Sequence, residues 1–363
     1  MAIATEGELI ERFLDALRAL PEVCAELEPH PPHDARAAVR IGGRVGIKVA
    51  GKPLTLLIEV NKTLFPRDVR EILWRFRAVS HMTLESTVAS EMVLAVIAES
   101  ISPGARELLR DARVGYYDSG GSLFLPARGL YLYVEKPVTR TISKSLHNLF
   151  SRRRAQVLHA LLAEPEDWFG VVALAKRAGV SPATVSQVLM ELERFDWVVA
   201  RGRGPAKERS LREPAALLDA WVKQLAVMQL PTMRRYYVPA VRAEGLIAGI
   251  DRVFAARRLE YAITHEAAAQ RYAPFLSRVS QVRCRLVTSP AAQEAIAAVG
   301  GRRVNEGTNL AVIEAASPGE LLFREWVNGA WLASPIQVYL DLVHGEGRAP
   351  ELAEHLRRQR IGF

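Results

Sequence analysis

The clearest repeat of apolar and polar positions lies in the middle of the chain. Three successive segments place apolar residues every three or four positions, which predicts amphipathic helices. The first helix ends near Pro165, the second spans 171–178, and the third runs from Pro182 to about Phe195. The expected buried positions are Val157, Leu158, Leu161 and Leu162, then Val172, Leu174 and Ala175, then Val185, Val188, Leu189 and Leu192.

The turn between the second and third helices has a favourable chemistry of its own. Gly179 suits the left-handed position that follows a helix. Ser181 is a natural N-cap, and Pro182 stands at the first helical position, where a missing N–H costs nothing. These residues predict a helix-turn-helix.

A strand, a basic loop and a second strand are predicted directly after the third helix. The apolar run 197–199 predicts the first strand, 201–209 is a basic turn with Gly and Pro, and Ser210-Leu211 predicts the return strand. Such a wing, together with the recognition helix, would contact both base edges and phosphates. The expected DNA-binding residues are Ser181, Ala183, Thr184, Ser186, Gln187, Arg201, Arg203, Lys207 and Arg209.

The string LAKRAGVSPATVSQVLMELERFDWVVARGRG resembles the winged helix-turn-helix of bacterial transcription regulators. Charge agrees with this interpretation. The 363 residues carry a formal net charge of +8, and residues 151–212 hold 11 Lys/Arg against 7 Asp/Glu, which is half of that charge. A local basic segment of this kind is typical of nucleic-acid binding. Arg152, Arg153 and Arg154 would add contacts to the DNA backbone.

The first 150 residues alternate helical and strand patterns, which predicts an α/β layer. A helix is expected over residues 4–27 and another over 66–76, and a third begins at Ser102-Pro103. Strands are expected at 37–41, 44–49, 54–60, 92–98, 114–117, 122–125 and 130–134.

The run LTLLIEVNK resembles the strand that holds Mg²⁺ in the restriction-endonuclease-like superfamily, where Glu-x-Lys ends a strand. Here Lys62 follows Glu59 one position too late, and a one-residue slip turns a side chain to the other face of a strand. The preceding strand has no carboxylate, and Asp34 lies further upstream. We therefore expect a degenerate nuclease fold, with Glu59 and Lys62 at the surface and with no catalytic residue, metal ligand or cofactor.

Two further strings resemble bacterial antitoxins of the AbiEi type. The first, ISPGARELLRDARVGYYDSGGSLFL, has Tyr116, Tyr117, Asp118, Gly120 and Gly121 at the matching positions, and 118–121 by itself predicts a hairpin turn. The second, ASPIQVYLDLVHGEGRAPELAEHLRR, lies near the end of the chain. The resemblance implies an autoregulator of transcription that opposes a partner toxin.

The last third of the chain again alternates helices and strands. Helices are expected at 214–230, 246–254, 264–269, 289–298, 335–343 and 350–359, and strands at 236–238, 261–263, 282–288, 309–314 and 321–326. The segment contains no zinc, nucleophile-elbow or phosphate-loop spacing. His147 and His159 are expected to be solvated or capping residues.

The sequence therefore predicts an α/β multi-domain chain in three parts: a degenerate restriction-endonuclease-like domain (1–150), a winged helix-turn-helix (151–230) and an α+β domain for assembly or partner binding (231–363). We expect a sequence-specific regulator of transcription that binds double-stranded DNA. Two half-sites would favour a homodimer. A Mg²⁺-dependent nuclease, a plasmid replication initiator and a protein-interaction module stay open as alternatives.

Two features of the composition bear on where the protein acts. No apolar run reaches the roughly 18 residues of a membrane span. Cys24 and Cys284 form no metal or redox spacing, which favours a reducing compartment. A cytoplasmic protein without a membrane partner is therefore expected.

Overall fold

The computed structural model describes residues 5–28, 43–49, 52–83, 91–127, 130–228, 231–239 and 242–363. The chain divides into two compact units. The first comprises Met1–Leu146 and Glu191–Asp196, and the second comprises His147–Met190 and Trp197–Phe363. Residues on both sides of position 230 belong to the second unit, so the domain boundary expected there stays a prediction.

The first unit is built on a mixed sheet whose strands lie in sequence order. β4 pairs in parallel with both β3 and β5, and the other neighbouring pairs are antiparallel. The strands are β1 (Val23–Glu28), β2 (Gly43–Val49), β3 (Lys52–Leu64), β4 (Glu91–Ile101), β5 (Gly115–Asp118), β6 (Leu123–Ala127) and β7 (Leu130–Val134). The helices are α1 (Glu6–Arg18), α2 (Pro66–Thr83) and α3 (Pro103–Asp111), and α4 (Arg140–Leu149) follows them.

Two apolar clusters fill the layers on the two sides of this sheet. Phe13 and Leu17 of α1 pack with Ile97 of β4 in one cluster. Ile72 of α2 packs with Val96, the preceding residue of β4, in the other. Successive residues of a strand point to opposite faces, so the nearly continuous apolar run of β4 supplies both layers.

The helix predicted over residues 4–27 is wrong beyond Arg18. Glu22 has a φ of 57°, and the chain then forms β1, in which Val23 lies opposite Val49. Backbone pairing with β2 outweighs the local helical pattern, which is a weak preference. The strand expected at 37–41 lies outside the described residues.

The second unit contains the predicted helix-turn-helix and its wing, except for the last turn of α7, which belongs to the first unit. Its first elements are α5 (Arg152–Ala163), β8 (Phe169–Gly170), α6 (Val171–Ala178), α7 (Pro182–Arg194), β9 (Val198–Arg201), β10 (Glu208–Leu211) and α8 (Pro214–Leu225). The remaining helices are α9 (Ala243–Ala256), α10 (His265–Tyr272), α11 (Pro290–Ala298), α12 (Pro335–Leu342) and α13 (Ala349–Leu356). The remaining strands are β11 (Met233–Tyr237), β12 (Tyr261–Thr264), β13 (Val282–Val287), β14 (Arg302–Arg303), β15 (Leu310–Ala315), β16 (Glu325–Val327) and β17 (Ala330–Leu332).

These last strands form a second mixed sheet, in the order β14-β11-β15-β13-β12-β17-β16. α10, α12 and α13 pack against one another beside it. The strand predicted at 321–326 is wrong in its first part, because Pro318–Leu321 form a 3-10 turn and only Glu325–Val327 pair as β16. Over the described residues the chain is thus a mixed α/β protein with a helix-turn-helix in its middle.

Candidate nucleic-acid interface

Three helices, α5, α6 and α7, form the framework of the central segment. Their predicted inward positions are buried, with the exception of Val172, which is 75% exposed. At 100° per residue, Val172 lies about 200° from Leu174 and so on the opposite face of α6. Ala178, four residues after Leu174, is buried in addition to the predicted residues.

The turn before α7 has the geometry expected from its residues. Gly179 adopts the left-handed conformation, with φ 62° and ψ 33°. Ser181 accepts the Thr184 N–H on its Oγ at 3.2 Å, and Pro182 begins α7. These caps provide hydrogen-bond partners for backbone groups that have none within the helix. They also fix the residue at which α7 begins.

α7 has an exposed stripe that we call the recognition face, formed by Ala183, Gln187 and Met190. These residues recur at i, i+4 and i+7, and the buried Val185 and Leu189 lie on the inward side of the helix. Short, amide and apolar side chains at such spacing can approach base edges in the major groove, where an apolar group can contact the thymine methyl.

Met190, which is 55% exposed, is absent from the contacts predicted from the sequence. Those contacts are small or polar side chains in the first part of the helix, although the position three residues after Gln187 on the same face is this methionine. Thr184 and Ser186 are partly exposed at the edges of the face. The Thr184 hydroxyl lies 3.0 Å from the Ser181 hydroxyl, so these two groups are engaged with each other.

The wing is an antiparallel hairpin of β9 and β10, and β10 also pairs with the short β8. Glu208 lies opposite Arg201, and a 3-10 turn at Gly204–Ala206 forms the tip. Gly202 has a φ of 75°, and a Cβ there would lie 2.5 Å from the Ala206 carbonyl oxygen. The hairpin therefore requires glycine at this position.

The four predicted cations of the wing occupy different environments. The Arg201 guanidinium pairs with Glu208 at 2.8 Å and lies 4.3 Å from the centre of the Trp168 ring. Arg203 is exposed in the loop and Lys207 is partly exposed. Arg209 is buried, with 9% exposure. Arg203 is therefore the wing cation best placed to meet a phosphate.

Comparison with known proteins agrees with this geometry. Residues 152–202 match the model of the IclR helix-turn-helix domain. The central segment is thus a helix-turn-helix that is similar to the IclR type. The match supports a DNA-binding regulator of transcription.

Outside the helix-turn-helix family, the chain has little similarity to known proteins. The crystal structure of NolR from Sinorhizobium fredii has a TM-score of 0.19 and 20% identity, and the match covers 24% of this chain and 95% of NolR. No curated protein sequence matches the chain. None of the helices in the described residues is long and apolar enough to cross a membrane.

Glu59, in the first unit, is not the surface residue that the sequence suggested. It is only 4% exposed, its Oε1 lies 2.7 Å from Nη2 of Arg75, and Asn61 donates to the same oxygen at 3.4 Å. Lys62 is exposed as expected, and Asp34 lies outside the described residues. Within those residues, no group of three His, Cys, Asp or Glu side chains could hold a metal ion.

A second buried ion pair stabilises the hairpin that the sequence predicted at 118–121. Asp118 pairs with Arg106 at 2.6 Å, and both side chains are at most 3% exposed. The Oδ1 of Asp118 also accepts the backbone N–H groups of Gly120 and Ser122, at 2.9 and 3.2 Å. Asp118 therefore holds the turn in place and leaves no carboxylate oxygen free for chemistry.

His159 of α5 is only partly exposed and packs against aromatic rings, which the expected solvated or capping role did not include, whereas His147 is exposed. The His159 ring lies 4.9 Å from the Trp221 ring and 6.1 Å from the Phe323 ring. Burial lowers the pKa of His159 to about 4, and the nearby Arg285 guanidinium acts in the same direction. His159 is therefore neutral at pH 7.

A polar cluster in the second unit lies near this histidine. Arg285 binds Asp341 through Nε at 2.9 Å and through Nη2 at 2.5 Å, and Gln337 donates to Asp341 at 2.7 Å. Burial alone would raise the pKa of Asp341, but the Arg285 charge and its hydrogen bonds lower it to about 2. Thr264 also donates to Asp341, so this carboxylate is fixed by partners on three elements.

Proposed function

We propose that this protein is a sequence-specific transcriptional regulator that places α7 in the major groove of double-stranded DNA and its wing along the backbone. The carrying observation is the exposed recognition face on an IclR-type helix-turn-helix domain. The proposed contacts are Ser181, Ala183, Thr184, Ser186, Gln187, Met190, Arg201, Arg203, Lys207 and Arg209. Among these, the engaged Arg201 and the buried Arg209 would act mainly by shaping the wing.

Selection from a random duplex library tests this proposal directly. We expect the full chain to enrich one motif, and its affinity for that motif to fall linearly with salt on a logarithmic scale, because phosphate contacts release counterions. If no duplex binds in a salt-dependent manner, the helix-turn-helix would instead serve as a protein-interaction module.

We further propose that the protein is an autoregulating antitoxin, which acts against a toxin encoded beside it. The resemblance of its sequence to the AbiEi type supports this role, and the hairpin at 118–121 has the turn that the resemblance implies. The test is to express the neighbouring gene alone and together with this protein. Growth arrest by the neighbour, relieved by co-expression, is the expected result; a harmless neighbour would contradict the proposal.

For the first unit, we propose a degenerate restriction-endonuclease-like domain that does not cleave DNA. The order α1-β1-β2-β3-α2-β4, with β4 parallel to β3, supports the architecture. The pairing of Glu59 with Arg75 supports the loss of activity, because that carboxylate is already neutralised. Plasmid incubated with protein and Mg²⁺ or Mn²⁺ should stay intact, and cleavage that Glu59→Ala abolishes would reverse this assignment.

We also propose that the regulator binds DNA as a homodimer, because two half-sites multiply affinity. Analytical ultracentrifugation of the full chain with a selected duplex should give two protein chains per duplex. A single chain per duplex at saturation would contradict this stoichiometry.

A further inference from the structure

Gln187, at the centre of the recognition face, has a polar neighbour from another helix. Arg154 lies in the first turn of α5, and its Nη2 donates to Oε1 of Gln187 at 2.9 Å. A guanidinium has five N–H donors and no acceptor. The oxygen of the Gln187 amide must therefore face Arg154, and one of its two lone pairs is taken. Within the described residues the Gln187 NH₂ group has no hydrogen-bond partner, so it can donate to another molecule.

Arg154 also places a positive charge, without a carboxylate partner among the described residues, beside the recognition face. In the part of the chain that the structure describes, its hydrogen bond goes to Gln187 and no carboxylate pairs with it. Arg201 of the wing differs, because Glu208 neutralises it. Arg154 and Gln187 thus form a unit that presents N–H donors together with a positive charge.

The two purines differ in how they would meet such a unit. Adenine pairs with a free glutamine through one acceptor and one donor, N7 and N6–H, whereas guanine offers two acceptors, N7 and O6. We propose that Arg154 orients Gln187 so that the pair selects guanine and disfavours adenine at one position of the DNA site. This inference rests on the proposed DNA-binding function and specifies its base preference.

The test is selection from a random duplex library with the wild-type chain and four variants. The wild type should enrich guanine at one position, and Gln187→Ala should reduce this preference by roughly 5- to 150-fold, the range for a bidentate contact. Arg154→Ala should move the preference from guanine towards adenine, because the amide oxygen becomes free to accept. Arg154→Lys, which keeps the charge and a donor, should retain guanine.

Arg153→Ala is the matched control, since Arg153 is the exposed neighbour on the same helical turn. It should lower affinity for all sequences equally and leave the base preference unchanged. Circular dichroism melting of each variant shows whether it is folded, and the identity of the selected base does not depend on how much protein is active.

Three results would overturn the inference. An unchanged guanine preference in Arg154→Ala, with weaker binding to every duplex, would make Arg154 a phosphate contact. Adenine at the Gln187-dependent position of the wild-type site would contradict the donor argument while leaving the DNA-binding function intact. Enrichment of no motif by the wild type would remove the inference and the proposed function together.

Discussion

At the scale of single residues, two buried carboxylates of the first unit stabilise its structure: Glu59, which was expected at the surface, and Asp118, which was expected in a hairpin turn. Glu59 and Asp118 each lie on a strand of the first unit, and each pairs with an arginine from the helix layer. A carboxylate enclosed in this way is costly unless its partner stays in place. The sequence indicates the acids, but the arginines that meet them lie 16 and 12 positions away.

Substitution of Asp118 by alanine should strongly destabilise the first unit. It leaves the buried Arg106 guanidinium without its carboxylate, although Nη1 still donates to the Lys136 carbonyl. It also removes the two hydrogen bonds that the Asp118 side chain accepts from the backbone of the turn, so we expect a loss of about 3–5 kcal/mol in the free energy of unfolding. Urea denaturation measures this loss. The control Lys62→Ala changes an exposed side chain and should stay within about 0.5 kcal/mol. Equal effects of the two substitutions would contradict the role given to Asp118.

At the scale of elements, the helix-turn-helix has the helices and the turn that its sequence predicted. The environments of the wing cations, by contrast, were not predicted. The turn before α7 depends on residues that are close in sequence: Gly179 ends α6, Ser181 caps α7 and Pro182 begins it. Their roles could therefore be predicted from the sequence. The wing cations depend on what each side chain meets across the hairpin. Arg201 and Glu208 face each other only because β9 and β10 pair in one register.

Arg203→Ala should weaken binding to all duplexes alike. The loss of one phosphate contact should reduce the slope of log affinity against log salt by about 0.9. Arg201→Ala should change this slope less, because Glu208 already neutralises Arg201. Fluorescence anisotropy over a salt series measures both slopes, and a larger change for Arg201 would show that the pair opens on DNA.

Glycine substitutions in the wing should separate backbone strain from steric clash. Gly202 and Gly204 both have positive φ, but only a Cβ at Gly202 would meet backbone, the Ala206 carbonyl. Gly204→Ala should cost about 1 kcal/mol, and Gly202→Ala should cost more and weaken DNA binding. Thermal unfolding and anisotropy measure the two effects. Equal losses for both variants would mean that the loop relaxes around the new methyl group.

At the scale of the whole molecule, α5, α6, α7 up to Met190 and the C-terminal sheet belong to one compact unit. His159 of α5 illustrates this, since its ring packs against Trp221 and against Phe323, far along the chain. Because burial also lowers the pKa of His159, the stability of the second unit depends on pH.

The stability of the second unit should fall as the pH drops from about 6.5 towards 4. The pKa of His159 is lowered in the folded state, so the unfolded chain binds the proton first and acid favours unfolding. Burial lowers the pKa of His265 as well, which adds in the same direction. The lowered pKa of Asp341 means that this carboxylate stabilises the folded state above about pH 4. That stabilisation is lost only as the pH falls further, so it does not affect the range above pH 4.

Melting temperatures measured from pH 7 to pH 5 test this expectation. The substitution His159→Phe removes the titrating group while it keeps an aromatic ring between Trp221 and Phe323, and it should flatten the pH dependence. His147→Gln changes an exposed histidine and should leave the profile of the wild type intact. A steep profile that persists in His159→Phe would assign the effect to His265.

The sequence by itself determined what short stretches of chain decide: the three central helices, the capped turn before α7, the wing and most strands of both sheets. Tertiary structure decided the remaining features, because each depends on a contact between residues that lie far apart in the sequence. Pairing with β2 makes 23–28 a strand, Arg75 forms an ion pair with Glu59, and Arg154 of α5 donates a hydrogen bond to Gln187 of α7. Periodicity shows which side of a helix is buried, but only the fold shows which distant side chain meets it.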